Sequence, residues 1–336
     1  MSMRVLVVGA GSIGLRHLGN LRTLGVQLGA CDPDAARRAR AAERHGAHVF
    51  EALGPALDAG WDAALVCTPT HTHLEVAHRA IEAGCHVFVE KPLADTAASA
   101  PALLAAAASR GRRVMVGHSM RFHPGIARLR AVVGDNALGR VLLATVRGGH
   151  WLPQWRPEQD YRQTYSSRRK EGGGVLLEYL HDFDYLRWML GEPHQVFAAA
   201  GRVGDLEIDS DDHAAVVVRF ASGALATLLI DYLRRRRRRS CELVGERAVA
   251  TWDADGKAPE HSRVTFATGN ETVQTLDERL IDGNEPYVAE MAHFLDCVAR
   301  GTPPAVPGEE GLRSLRFVEA AVRSAATNAW VPVDTT

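Results

Sequence analysis

Gly9-Ala-Gly11-Ser-Ile-Gly14 constrains the fold of this chain more than any other stretch. The run before it, Arg4-Val-Leu-Val-Val8, is short and β-branched and reads as a buried strand. A helical stretch, Ile13 to Leu24, follows it. In such a strand–turn–helix, Gly9 permits the tight turn, Gly11 lets the backbone approach a pyrophosphate, and Gly14 lets helix and strand pack closely. Ser12 and Ile13 open the helix, where free N–H groups and the positive dipole end favour phosphate oxygens. Asp32 ends a second strand, Val26 to Cys31, and is placed to accept the adenosine ribose hydroxyls. These residues predict a dinucleotide site. The Asp32 carboxylate disfavours a 2′-phosphate and so predicts NAD, although Arg37 and Arg38 keep NADP open.

Strand-like and helix-like runs alternate through residue 121. The strands are expected at 3–8, 27–31, 47–50, 63–67, 86–89 and 113–117, with helices between, such as 73–83 and 96–110. That alternation predicts an α/β fold with a doubly wound parallel sheet, a Rossmann domain over residues 1–121. Residues 122–336 predict an α+β domain with an open, mostly antiparallel sheet. Its strand-like runs fall at 141–149, 196–203, 213–220, 224–233, 241–245, 249–252 and 264–267, and Ser222-Gly223 marks a hairpin. Helices are expected at 124–133, 174–190, 286–300 and 309–328.

The 39 basic and 40 acidic residues balance, which gives no reason to expect nucleic acid or an anionic membrane as a partner. No apolar run is long enough to span a bilayer. The chain enters a strand at once, leaving no room for a signal peptide. Five scattered cysteines suggest reduced thiols, and the expected location is the cytoplasm.

Three further motifs stand in order. Thr68-Pro69-Thr70-His71-Thr72-His73 and Glu90-Lys91-Pro92 follow predicted strands, and Gly172-Gly173-Gly174 opens a helix bearing Glu178 and His181. Together with the glycine turn they make the chain resemble the glucose-fructose oxidoreductase / inositol dehydrogenase / MocA family, over nearly its whole length. The resemblance implies an NAD- or NADP-dependent oxidoreductase. It implies a sugar, polyol or nucleotide-sugar substrate, and homodimers or homotetramers built on the open sheet. It places Thr68, Pro69, His71, His73, Glu90 and Lys91 beside the cofactor, along with Gly9, Gly11, Ser12, Ile13, Gly14 and Asp32. It assigns substrate positioning and proton transfer to Lys91.

Hydride exchange with a secondary alcohol needs a partner for the hydroxyl proton and favours a cation near the oxygen. Lys91, at the carboxyl end of a buried strand, meets both needs. His181 is the second proton-transfer candidate. Glu178 is expected three residues before it on one helix face, assisting the ring or binding a hydroxyl. Many family members carry Asp four residues before this histidine; here that position is Leu177, which puts the role of Glu178 in question. Asp182 and Arg121 are candidate substrate contacts, and Asp184 either supports His181 or pairs elsewhere. The stretch 150–170 is long, aromatic and basic. Trp151, Trp155, Tyr161 and Tyr165 suit stacking on a ring, and Arg156 suits a carboxylate or phosphate; an interface or covering loop is the plainer reading. Members from bacterial surface-sugar pathways share this loop character more loosely. Arg234 to Arg239 read as a protected strand edge or subunit contact, or else as reaching toward an anionic substrate. His71 and His73 lack metal-site spacing, and no metal is expected. Alternatives to a sugar dehydrogenase are another carbonyl or imine reductase of this fold, or a dinucleotide-binding sensor.

Overall fold

The computed structural model describes residues 2–256, 259–269 and 272–334. It divides into two compact units, Met1–Ser119 with Tyr287–Leu315, and Met120–Pro286 with Arg316–Thr336. The first unit therefore recruits a late segment that a single boundary at 121/122 assigns to the second. Packing explains this. Phe294 meets Phe88 edge-on at 5.7 Å, and Pro307 bridges to Met115.

In the first unit, β1 (Arg4–Val8), β2 (Gln27–Cys31), β3 (His48–Phe50), β4 (Ala63–Val66), β5 (His86–Glu90) and β6 (Val114–Gly117) form an all-parallel sheet of order β3-β2-β1-β4-β5-β6. Its helices are α1 (Ser12–Thr23), α2 (Ala35–His45), α3 (Leu53–Asp58), α4 (His73–Glu82) and α5 (Ala100–Ser109). Every residue of β4 and β6 is buried, the signature of strands covered on both faces. The strand order reverses between β1 and β4. In open parallel sheets, ligands bind outside the carboxyl ends of the strands at such a switch point. Gly9 follows β1 and Thr68 follows β4 at this switch point, while Asp32 and Lys91 follow β2 and β5 along the same edge.

The second unit holds a mixed sheet of order β14-β13-β12-β11-β7-β10-β9-β8-β15. The strands are β7 (Val141–Gly149), β8 (Pro193–Gly201), β9 (His213–Phe220), β10 (Leu225–Asp231), β11 (Arg238–Gly245), β12 (Val249–Asp255), β13 (Glu260–Ala267), β14 (Gln274–Ile281) and β15 (Val331–Pro332). Only β7 and β10 pair in parallel. Gly223, at φ 88°, turns β9 into β10 as the hairpin reading expects. Along β10 buried and exposed residues alternate, so one face packs on the core and Leu225 and Leu229 stand on the other. Edge strand β14 escaped the sequence reading because Gln274–Ile281 is mostly polar and carries no apolar alternation.

The remaining helices are α6 (Pro124–Gly134), α7 (Val175–Glu178), α8 (Leu180–Leu190), α9 (Glu285–Arg300) and α10 (Gly308–Thr327). The single helix expected over 174–190 is thus two. Tyr179, at φ −88° and ψ 22°, interrupts it. Its ring lies over β7 at Gly148, where any Cβ would come within 2.6 Å of it. No described helix is long and apolar enough to cross a membrane.

Candidate active site

The glycine turn shows which of its members serve the chain and which serves something else. A Cβ on Gly9 would stand 2.6 Å from the Cys67 carbonyl oxygen, and Gly9 has φ +94°. A Cβ on Gly14 would overlap the Gly9 carbonyl. Both glycines are demanded by packing. A Cβ on Gly11 would meet nothing within 4 Å, and its φ of −72° suits any residue. That open approach at the start of α1 fits a dinucleotide pyrophosphate, and Ser12 and Ile13 begin the helix there. Gly11→Ala is therefore expected to cost at most about 1 kcal/mol of stability yet weaken NAD binding by at least about tenfold. Paired thermal unfolding and NAD titration check this; equal affinity in both proteins removes the pyrophosphate from Gly11.

Asp32 is buried beside the turn. One of its carboxylate oxygens accepts from Ala10 N–H at 2.8 Å and the other from Asp34 N–H at 2.9 Å. Arg37 comes no closer than 3.6 Å to it and is half-exposed, while Arg38 donates to the carbonyls of Asp32 and Pro33. Two backbone N–H groups thus fix the carboxylate beside the glycine turn.

The Thr68–His73 turn is built differently from its sequence reading. His71 is exposed, and Thr68 and Pro69 stand at the carboxyl edge beyond β4. His73 is buried, with Nδ1 2.8 Å from the Pro92 carbonyl and Nε2 2.9 Å from the Thr68 carbonyl. Burial pulls its pKa down, outweighing the two carbonyls that favour the protonated ring. His73 braces the two turns against each other and has no ring nitrogen left for a cofactor. Lys91 is half-buried, and its peptide bond to Pro92 is cis. Glu90 does not face outward: its carboxylate lies 2.6 Å from Nε2 of the fully buried His17.

In the second unit, Glu178 ends α7 and His181 lies in the first turn of α8, so the expected shared helix face does not form. Glu178 accepts a hydrogen bond from Ser166 at 2.7 Å, which ties it to the aromatic segment. His181 is half-buried. Beneath it Asp182 is fully buried, accepts from the Tyr185 hydroxyl at 2.6 Å, and pairs with Arg239. Burial opposes the Arg239 charge, and Asp182 more than offsets it, raising the pKa. Arg121 is likewise buried and gives two hydrogen bonds, of 2.7 and 2.8 Å, to Asp184. Asp182 and Arg121, read from sequence as substrate contacts, are committed inside the unit.

The segment 150–171 folds into four short 3₁₀ turns. Trp155 is anchored, with Nε1 donating to the His150 carbonyl and its ring edge-on to Tyr232 at 5.2 Å. The Tyr161 hydroxyl accepts from Glu207 N–H at 3.3 Å. Arg156 lies over the exposed Tyr165 ring at 5.9 Å, and Arg235 over Trp151 at 3.5 Å. Trp155, Arg156 and Tyr161 line one small pocket with Leu152, Thr164 and Ser166.

The arginine run is almost wholly neutralised. Arg234 pairs with Asp231, Arg236 with Asp255, Arg237 with Glu260, Arg238 with Asp253 and Arg239 with Asp182. Burial and the loss of water raise the Glu260 carboxyl, but His123 at 2.7 Å and Arg237 overcome this and hold it at about 2. β11 sits between β7 and β12, so the run guards no sheet edge.

His17 and Ser166 were missed in the sequence, and the Arg239 pairing with Asp182 was not foreseen. His17 left a readable signal, since it follows Gly14 by three residues and so shares the helix face that packs on the strand.

The family described as "Oxidoreductase family, NAD-binding Rossmann fold" matches residues 3–118, and its "C-terminal alpha/beta domain" matches residues 130–333. An inositol 2-dehydrogenase of Rhizobium meliloti is 29% identical over 338 residues, covering 97% of this chain and 98% of that protein. A myo-inositol dehydrogenase of Streptomyces leeuwenhoekii is 34% identical over 356 residues, covering 98% and 99%. Among solved structures, GenD2 from gentamicin A biosynthesis in complex with NAD superimposes with a TM-score of 0.84 at 27% identity, over 99% of this chain and 97% of that one.

Proposed function

The chain belongs to the glucose-fructose oxidoreductase / inositol dehydrogenase / MocA family, and from that premise we propose that it is an NAD-dependent dehydrogenase of a neutral cyclic polyol or sugar. The observation that carries the reading is Lys91, set at the carboxyl edge of the NAD-binding sheet on which Gly11 and Asp32 also lie. When bound, the nicotinamide supplies the hydride acceptor or donor. Lys91 holds the substrate hydroxyl and exchanges its proton, and His181 is the second group for that proton. Glu178, steadied by Ser166, accepts from a neighbouring hydroxyl. Asp182 and Arg121 act at one remove, fixing α8 through Arg239 and Asp184.

Two considerations support a neutral substrate over a diphosphate-linked one. Five of the six arginines from Arg234 to Arg239 are paired with the chain's own carboxylates, and the named relatives are inositol dehydrogenases. The test is NADH formation from NAD with myo-inositol, its epimers, aldoses, uronic acids and nucleotide sugars. Turnover confined to the charged members overturns the neutral assignment. Tight NAD binding with no turnover on any member favours a dinucleotide-responsive sensor.

We infer also that two or four chains assemble through the outer face of the second unit's sheet, where Leu143, Leu225 and Leu229 stand exposed on β7 and β10. Light-scattering mass in solution checks this, and a single-chain mass rejects it.

A further inference from the structure

We propose that His17 and Glu90 form a positioning pair that holds Lys91 and links it to the helix whose first residues take the pyrophosphate. The proposal rests on the reading of Lys91 as the proton-exchange residue.

His17 lies in α1, in the middle of the helix that begins at the glycine turn, and is fully buried. Its Nε2 stands 2.6 Å from one Glu90 oxygen, while the other accepts the backbone N–H of Lys91 at 3.2 Å. Both carboxylate oxygens are therefore engaged, one by the cofactor helix and one by the lysine's own backbone. The carboxylate also presses on β6, where a Cβ at Gly117 would come within 3.2 Å of it. The imidazole lies edge-on to the rings of Phe88 at 5.5 Å and Tyr287 at 6.1 Å.

Stability alone is a poor reason for this arrangement. A buried pair of this kind is often no better than well-packed apolar side chains of equal volume. Here it also leaves His17 Nδ1 buried without a hydrogen bond. What the pair does deliver is a fixed negative charge next to Lys91. Burial works to protonate Glu90, but the His17 hydrogen bond and charge, with Lys91, outweigh it and lower the pKa. That charge reaches Cys67 just after β4, whose thiol burial and Glu90 push well up, and His73 on α4, whose burial-lowered pKa Glu90 partly restores. Neither of these, nor Tyr287 on α9, supplies a replacement donor to the carboxylate among the contacts described.

The chain has only three lysines, Lys91, Lys170 and Lys257, so the Lys91 amine can be followed without turnover. Trace acetylation across a pH series, read by peptide mass spectrometry with exposed Lys170 as reference, gives its titration midpoint. In His17→Phe the carboxylate loses its donor in a buried place and takes up a proton more readily. Glu90→Gln removes the charge outright. Both lose the anion that favours the ammonium, so both should lower the Lys91 midpoint by about one pH unit or more. His17→Gln keeps an N–H donor and should keep the parent midpoint. An unchanged or raised midpoint in either His17→Phe or Glu90→Gln overturns the proposal, as does a His17→Gln shift as large as that of His17→Phe. NAD binding, followed by protein fluorescence, confirms that each variant is folded. Failure of the dehydrogenase reading would show separately, as absence of hydride transfer by the parent.

Discussion

Lys91→Ala should lower kcat on the best polyol or sugar by about 10²–10⁴-fold, the usual worth of a positioned proton-transfer group, while NAD still binds. The separation follows from where the residues sit. Gly11, at the start of α1, and Asp32, after β2, are the residues proposed to hold the dinucleotide, and neither contact described for them involves the Lys91 side chain. Lys91 stands on a different strand end, after β5. Single-turnover hydride transfer at saturating NAD, followed as NADH absorbance, isolates the step. A variant within threefold of the parent would move the proton-transfer role away from Lys91 and toward His181. A fall in NAD affinity matching the fall in rate would make Lys91 a cofactor ligand first.

The first unit was legible because its signals are local and repeated. Continuous apolar runs, glycines at fixed offsets and an acid after the second strand each describe one short stretch, and the parallel sheet follows from their alternation. The same alternation puts Asp32 and Lys91 at the carboxyl ends of parallel strands, hence on one edge. What stayed hidden depends on partners distant in sequence. The helix over 174–190 has unbroken helical character, and nothing in Gly174–Leu190 announces that the Tyr179 ring must lie on Gly148. Arg234–Arg239 read as surplus charge because their acids, Asp182, Asp231, Asp253, Asp255 and Glu260, are dispersed through the chain. Glu90 is expected beside the cofactor, orienting Lys91 or paired elsewhere, and the partner it has, His17, lies 73 positions away on α1. Burial also corrects the reading of His73, Arg121 and Asp182 as ligand contacts, because exposures of 1%, 5% and 0% commit their side chains to the scaffold of their own units.

Arg239→Met should be the most destabilising single change in the second unit among those considered, at about 3–5 kcal/mol. Asp182 has 0% and Arg239 14% of the side chain exposed, so the methionine leaves an anion buried with only the Tyr185 hydroxyl to hold it. Burial already drives Tyr185 well above its ordinary pKa, so it stays a neutral donor and does not replace the cation. The double variant Asp182→Leu/Arg239→Met removes both charges and should recover most of the loss, because apolar groups of similar volume substitute well for a buried pair. Urea unfolding of the single and double variants measures both terms. A single-variant loss below about 1 kcal/mol would mean that water reaches the pair, as at a surface salt bridge. Activity adds a second reading. Asp182 sits directly after His181 at the start of α8, and the double variant restores stability without restoring the tether from β11 to that helix. A refolded but slow double variant therefore assigns Arg239 a part in placing His181, and a refolded, fully active one confines the pair to the scaffold.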